Sequence, residues 1–193
     1  PFALVAARQD ERADDVVVGS ERRGEGVRER IGAGKPDGEV STLMCDTLQV
    51  GDVVTMSLPY GDVVLDDSGR PVVFASAGIG ITPMAGMLSH LAAADSGLEI
   101  MLLHADENEG SFALRRQVVS DVLALRNGSI FVWYEDGTRS NEPVDGVFAG
   151  MMDLSQVNLP EDALYYLCGP IPFMQAVRSG LLTFEEHLPA FAN

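Results

Sequence analysis

The chain has 193 residues, enough for one ordinary domain or two small ones, and 46% of them are hydrophobic, which excludes wholesale disorder. Its 13 lysines and arginines stand against 29 aspartates and glutamates, and the formal charge of -16 repels nucleic acid and anionic membrane surfaces. We therefore exclude both as partners, whereas a dinucleotide can still bind because backbone N–H groups act at contact distance.

The cysteine count and the absence of long apolar runs bear on the compartment. Cys45 and Cys168 are the only cysteines, and two cysteines do not form a disulfide framework in a chain of this size. No apolar run has the length of a membrane span. The apolar stretch 1–7 is followed at once by charged residues and lacks a basic n-region, so we expect no signal peptide and a cytoplasmic location.

The first part of the chain predicts short strands around an irregular segment. Strands are expected at 2–7 and 14–18. Residues 19–38 are rich in glycine and charge, which predicts a loop. This loop contains the most basic patch of the chain, for which a solvated linker is the preferred interpretation and a phosphate clamp the alternative. The patch consists of Arg22, Arg23, Arg28 and Arg30.

A change of composition at 70–71 marks the predicted domain boundary. Before it, apolar residues near one helical face predict a short helix at 39–48, and alternation predicts a half-buried strand at 51–60. We therefore expect one region at 1–70 and an α/β domain at 71–193.

The α/β domain opens with a predicted buried strand, a glycine turn and a helix. Residues 72–75 are an apolar run without polar alternation, as in a strand covered on both faces. Gly78 and Gly80 permit a tight turn and the close approach of a ligand. Thr82 is expected as the N-cap of the helix, with Pro83 at the first helical position.

A helix that begins directly after such a turn presents unpaired N–H groups and the positive end of its dipole, which favours a phosphate or another anion. A Gly-Xaa-Gly sequence after a strand is also typical of a plain tight turn. This stretch alone therefore leaves nucleotide binding and a structural turn as alternatives.

The rest of the chain alternates strands and helices. We predict strands at 99–105, 129–134 and 163–168, helices at 112–125 and 173–184, and a loop-rich stretch at 135–160 with a helical turn near 151–154. This order predicts an α/β fold with a parallel sheet and right-handed crossovers. Ligands bind such sheets beyond the carboxyl ends of the strands, where both the turn at 78–80 and Gly169 lie. Two glycine turns at one edge favour a nucleotide site.

Both turns also carry a family resemblance. The segments Ala77-Gly-Ile-Gly-Ile-Thr-Pro-Met84 and Tyr166-Leu-Cys-Gly-Pro-Ile-Pro-Phe-Met174 closely resemble the reductase part of flavohaemoglobins, the nitric oxide dioxygenases. More broadly, they resemble the ferredoxin–NADP reductase superfamily. Shorter matches occur at 38–41, 50–54, 59–62 and 104–105, and the resemblance extends over 36–182 almost continuously.

The resemblance implies an antiparallel FAD-binding barrel followed by a Rossmann-like parallel sheet that binds NAD(P)H, with helices on both faces and hydride passing from nicotinamide to FAD. It implies that Thr82 lies near the nicotinamide end and that Cys168 belongs to the opposite wall, so these two are the catalytic candidates. The implied nucleotide contacts are Gly78, Ile79, Gly80, Ile81, Thr82, Pro83, Cys168, Gly169 and Pro170. The implied flavin contacts are Gly38, Glu39, Val40 and Ser41.

The chain departs from the family pattern at the flavin site. The Arg-Xaa-Tyr-Ser flavin motif is absent, and residues 19–38 stand where central barrel strands are expected, so the barrel is expected to be incomplete. The family's last strand and its globin domain are not found either, and a globin or another electron-acceptor protein is the implied partner. Three functions stay open: a flavin oxidoreductase module, a non-catalytic nucleotide-binding domain, and a reductase subunit completed by a partner chain.

The choice of nucleotide rests on acidic residues after the strand at 99–105, where the adenine ribose would lie. Asp106, Glu107 and Glu109 suit a free 2′-hydroxyl and repel a 2′-phosphate, which favours NADH. NADPH is the alternative, since Arg115 or Arg116 could reach the same place.

The remaining candidates favour structural roles. The three histidines share no ligand spacing, so we expect no metal site. His90 is predicted on a helix surface and His104 as a packing residue, and no histidine is placed by sequence to activate Cys168. Trp133 and Tyr134 are expected in the core or at its rim.

Overall fold

The computed structural model describes residues 15–17, 47, 49, 52–55, 63–66, 68–137 and 143–187. The chain divides into two units, Leu4–Val64 and Leu65–Asn193 together with Pro1–Ala3, and each is considered by itself. The predicted strand at 2–7, the loop at 19–38 and nearly all of the helix at 39–48 lie outside the described residues.

The described residues of the first unit form a pair of short strands. Strand β1 (Asp15–Val17) pairs antiparallel with β2 (Val53–Thr55), with Val16 opposite Val54. The strands predicted at 14–18 and 51–60 are thereby confirmed in their central residues. The incomplete barrel, and its assignment to residues 1–70, stay predictions.

The second unit is built on a parallel sheet of five strands in the order β6-β5-β4-β3-β7. The strands are β3 (Val72–Ala77), β4 (Glu99–Asp106), β5 (Asn127–Tyr134), β6 (Gly146–Ala149) and β7 (Leu164–Cys168). Its helices are α1 (Ile81–Ala93), α2 (Arg115–Ala124) and α3 (Ile171–His187), with 3-10 turns at Gly78–Gly80 and Leu154–Gln156. The predicted α/β class and parallel sheet are confirmed.

The strand order reverses once, and the reversal locates the edge where ligands bind. From β3 the chain adds β4, β5 and β6 on one side, then returns to place β7 on the other side of β3. Ser76 is consequently in register with both His104 and Cys168. In open parallel sheets the ligand crevice lies beyond the carboxyl ends of the strands that flank such a reversal. Here those strands are β3 and β7.

Helices cover both faces of the sheet, as predicted. On one face, Val73, Leu103 and Trp133 form a core with Leu154 and with Val177 of α3. The Trp133 ring stacks on Phe148 at 4.9 Å, and its Nε1 donates to Gln156 Oε1 at 2.7 Å. Trp133 and Tyr134 are therefore both core residues, because each is almost fully buried.

Helices α1 and α2 lie on the opposite face. Gly128 of β5 packs so closely on α2 that an added Cβ would overlap the Val122 carbonyl oxygen and lie 3.2 Å from Val122 Cγ1. The two helices are joined by Ser89, which donates to Asp121 Oδ2 at 2.5 Å.

Helix boundaries differ from prediction where local geometry overrides periodicity. Helix α2 begins at Arg115 and not at 112, because Leu114 adopts a left-handed backbone with φ of 56° and so stands outside the helix. Helix α3 begins at Ile171, two residues earlier than predicted, because a proline such as Pro172 is tolerated in a first turn that needs no N–H donor. It ends at His187 rather than at 184.

The loop predicted at 135–160 was wrong at one place, since it contains β6. This strand has only four residues and begins with glycine, so no alternation marks it in the sequence. Its position depends on packing: Gly146 leaves room for the Phe131 ring, whose Cδ1 lies 2.9 Å from where a Cβ would stand. The helical turn expected near 151–154 is found at Leu154–Gln156.

Candidate functional site

The two predicted glycine turns meet at the strand reversal. A Cβ added to Gly80 would lie 2.6 Å from the carbonyl carbon of Cys168 and 2.9 Å from the nitrogen of Gly169. A Cβ on Gly169 would lie 2.8 Å from Phe173 Cδ1 and 3.2 Å from Ala77 Cβ. These spaces admit no side chain, so the turn after β3 and the turn after β7 form one tightly packed unit.

Gly78 and Gly80 differ in what occupies the space that a Cβ atom would fill. Gly80 is buried, and its missing Cβ makes room for the turn after β7 rather than for an outside molecule. Gly78 has a left-handed backbone with φ of 53°, and a Cβ there would meet nothing within 4 Å. Gly78 is thus the residue of this turn that leaves the backbone open to a ligand.

The prediction that Thr82 caps the helix was wrong. Helix α1 begins two residues earlier than predicted, at Ile81, with Gly80 at the N-cap position and no side-chain cap. Thr82 is half-buried inside the first turn, and its hydroxyl donates to the Ile79 carbonyl oxygen at 3.0 Å. Pro83 is the third helical residue. The Thr82 hydroxyl therefore stabilises the glycine turn, and its catalytic role stays a prediction.

Cys168 ends β7 at the same crevice and carries a free thiol that is half-buried. Burial raises the pKa of this thiol, so the group stays protonated at neutral pH. A neutral thiol can pack against a ligand, but it is a poor nucleophile. Gly169 and the exposed Pro170 continue the same wall up to α3.

Both α1 and α3 begin at this crevice, directly after the two turns. Neither helix has an acidic residue in its first turn. The positive dipole ends of the two helices are thus not neutralised by a carboxylate in their own first turns, which favours the binding of an anion such as a pyrophosphate. The first N–H group of α1 is already paired, because the Ile81 N–H donates to the Gly78 carbonyl oxygen.

A buried polar chain, which spacing did not reveal, joins β3 to β4. His104 Nδ1 lies 2.9 Å from Ser76 Oγ, and His104 Nε2 lies 3.4 Å from Asp106 Oδ2. Since a carboxylate only accepts hydrogen bonds, we assign the proton to Nε2, so that Nδ1 accepts from the Ser76 hydroxyl. The ring also stacks on Phe112 at 3.9 Å, which confirms the predicted packing role of His104.

The hydrogen-bonded side chains of Ser76, His104 and Asp106 are the residue types of a hydrolase triad, but they lie where no substrate can reach them. Ser76 and His104 are both 0% exposed. Burial lowers the pKa of His104 and outweighs the opposing effect of the Asp106 carboxylate, so the ring is neutral. Only the strand register, in which Ser76 stands beside His104, reveals the pairing.

The acidic residues at the end of β4 and directly after it have three different environments. The Asp106 side chain is turned inward to His104 and also accepts from the Glu107 N–H at 2.8 Å. Glu107 is exposed, whereas Glu109 forms an ion pair with Arg115. The predicted acidic cluster is therefore confirmed in position, but only Glu107 presents an exposed carboxylate there.

The remaining predictions concern the flavin contacts, a metal site and a membrane span. The flavin contacts proposed for 38–41 are not among the described residues. Within the described part of the chain, no group of three or more potential ligands could hold a metal ion. No helix in that part is long and apolar enough to cross a membrane.

Sequence comparison identifies the unit that carries the two turns. Residues 74–179 match the oxidoreductase NAD-binding domain family. The chain belongs to this family. It is 43% identical over 163 residues to the flavohemoprotein of Bordetella pertussis, a match that covers 80% of the chain but only 40% of that relative.

Solved structures agree with the sequence match. One neighbour is the flavohemoglobin of Malassezia yamatoensis with bound FAD and heme, at a TM-score of 0.64 and 31% identity over 77% of this chain and 38% of that one. Another is the FAD/NAD-binding domain of nitric oxide dioxygenase from Vibrio cholerae, at a TM-score of 0.64 and 35% identity over 76% and 60%. The resemblance to flavohaemoglobin reductase regions is confirmed, and with it the prediction of an NAD(P)H-binding module of this type.

Proposed function

We propose that this chain binds NADH at the crevice between β3 and β7 and holds the nicotinamide for hydride transfer to FAD, as the reductase module of a flavohaemoglobin-type protein. One observation carries the proposal: the turn after β3 and the turn after β7 are in contact, while Gly78 leaves its backbone open in front of two helix N-termini. This arrangement suits a pyrophosphate.

Each wall of the crevice has its own task in the proposal. Residues 78–83 hold the nucleotide, with Thr82 near the nicotinamide end. Cys168, Gly169 and Pro170 form the opposite wall, where a small neutral thiol allows donor and acceptor to come close. When bound, FAD supplies the hydride acceptor, and residues 38–41 are the proposed contacts to its pyrophosphate.

The preference for NADH over NADPH rests on the loop after β4. Glu107 presents an exposed carboxylate beside the proposed position of the adenine ribose. A carboxylate accepts a hydrogen bond from a 2′-hydroxyl and repels a 2′-phosphate.

The family suggests a partner for the chain. The chain spans 40% of the length of the curated relative from Bordetella pertussis, so the activity of the complete relative is itself a proposal for this chain. The relative from Malassezia yamatoensis holds both FAD and heme, and a globin is accordingly the proposed electron acceptor. The cytoplasmic location stays a prediction.

Purification followed by titration tests the function. The chain is titrated with NADH in a calorimeter, with and without added FAD, and absorbance is recorded for flavin. Binding of NADH and bleaching of bound flavin by NADH are the expected results. Binding of NADH without flavin uptake contradicts the complete reductase and supports a nucleotide-binding domain or a subunit completed by a partner. No binding of NADH refutes the proposal entirely.

A further inference from the structure

We propose that the ion pair between Glu109 and Arg115 selects NADH over NADPH. Arg115 is the first residue of α2, and because its guanidinium is paired with Glu109, it does not bind a 2′-phosphate. This inference rests on the proposed nucleotide-binding function and assigns its specificity to two named residues.

The pair stands at the edge of the sheet that the ribose would occupy. Ala105 of β4 is in register with Ala77, the residue before the glycine turn. The loop that follows β4 therefore begins one strand away from Gly78. In open parallel sheets this neighbouring strand end is where an adenosine ribose meets the protein. Arg115 is the first residue of α2, at the other end of the same loop.

The loop is held in one shape by its own hydrogen bonds. Asn108 Oδ1 accepts from the N–H groups of Gly110 at 2.9 Å and Ser111 at 3.1 Å. The N–H groups of Glu135 and Asp136, in the loop after β5, donate to the carbonyl oxygens of Asp106 and Glu107, both at 3.1 Å. The loop that contains Glu109 is consequently fixed to the loop after β5. This limits how far Glu109 can move if the Arg115 side chain turns toward another partner.

Glu109 and a 2′-phosphate would compete for the same guanidinium. Arginine binds carboxylates and phosphates through the same fork of N–H donors. The side chains of Arg115 and Glu109 are only 24% and 30% exposed, so solvent screens this pair less than a surface pair. An incoming phosphate would have to displace a carboxylate that is already in place.

The surroundings offer no substitute cation among the described residues of these two loops. Glu107, Glu135 and Asp136 are exposed carboxylates there, and they would repel a phosphate. Arg116 follows Arg115 in α2 but lines a separate groove with Val119, Ser120, Leu123, Ala124 and Pro143. Arg116 therefore serves as a matched control: it has the same charge on the same helix but belongs to another surface.

The test compares dissociation constants for NADH and NADPH, measured by calorimetry on the full chain. The variants are Glu109→Gln, Arg115→Gln, the double variant and the control Arg116→Gln. We expect the wild type to prefer NADH. In Glu109→Gln the dissociation constant of NADPH should fall about tenfold, as for one new hydrogen bond to a charged group, while that of NADH is unchanged. The gain should vanish in the double variant, and Arg116→Gln should keep the wild-type ratio.

The outcomes separate this inference from the function on which it rests. If the wild type binds neither nucleotide, both fail. If it binds NADH but Glu109→Gln leaves the ratio unchanged, only the selectivity inference fails. A gain that persists in the double variant overturns it as well, because charge alone would then explain the effect. Thermal unfolding, followed by the fluorescence of the buried Trp133, checks that each variant is folded, and Glu109→Ser replaces Glu109→Gln if that variant is not.

Discussion

Gly80 packs directly against the backbone of Cys168, so that a Cβ on Gly80 would lie 2.6 Å from the Cys168 carbonyl carbon. The contact joins the N-cap residue of α1 to the residue that ends β7, across the strand reversal. The two sequence motifs are thereby parts of one packed structure, and a change in either turn must affect the other.

Replacing Gly80 with alanine should destabilise the protein, because the added methyl overlaps backbone atoms that no side-chain rotation can move away. We expect a loss of about 1–3 kcal/mol in the free energy of unfolding, as for overpacked sites. Urea unfolding followed by Trp133 fluorescence measures it. Gly86→Ala is the control: Gly86 is exposed in α1 with nothing near its Cβ position, and alanine there should add about 0.5–1 kcal/mol. Equal stabilities for the two variants would contradict the packing.

Replacing Gly78 with asparagine should separate backbone strain from ligand access. Asparagine tolerates the left-handed backbone at this position better than other side chains, so stability should change little. The new side chain fills the open space in front of the turn, and the affinity for NADH should fall at least about tenfold if a ligand contact is lost. Calorimetry compares it with Gly86→Asn, which should bind normally. Undiminished affinity of the Gly78 variant would remove this turn from the site.

Acidification should destabilise the protein through His104. Burial places the folded-state pKa of His104 below its ordinary value of 6.5, so below that pH the unfolded chain takes up a proton that the folded chain refuses. The stability that the neutral His104 contributes to the folded state is fully present above pH 6.5 and is lost as the pH falls toward the folded-state pKa. We expect the free energy of unfolding to drop by up to about 1.4 kcal/mol per pH unit in this window.

Urea unfolding at several pH values, on the wild type and on His104→Gln, measures this dependence. The variant should be less stable at neutral pH but lack most of the slope. Hydrogen bonds from Ser68 and Ser155 hold the pKa values of Asp66 and Asp153 below 3.8, so these carboxyls titrate outside the window. An unchanged slope in the variant would assign the effect to other groups.

Alkylation should show that Cys168 is a thiol and not a thiolate at neutral pH. Burial raises its pKa above the ordinary 9.0, so iodoacetamide should react more slowly than with a free thiol and accelerate only at higher pH. The rate is measured in a Cys45→Ser background, where Cys168 is the one remaining cysteine. Fast alkylation with a midpoint near neutrality would indicate an activated cysteine.

The sequence by itself determined the class of the fold and the identity of the turns. Apolar runs and glycines are local signals, and they sufficed to place β3, β4, β5 and β7, the turn at Gly78–Gly80 and the family resemblance. They also sufficed to predict that His104 is a packing residue and that Trp133 lies in the core or at its rim.

Only the tertiary structure decided how those residues act. Strand order brings Gly80 against Cys168 and Ser76 beside His104, and no spacing in the chain encodes which strands are neighbours. Helix ends likewise depend on contacts, so Thr82 bonds inside the turn although its residue type predicted a cap. The carboxylates at and after the end of β4 are alike in sequence, but burial and ion pairing distinguish Asp106, Glu107 and Glu109. Sequence periodicity and composition identify residue types and elements, whereas the neighbours of a residue across the sheet determine its protonation state, its solvent exposure and its chemistry.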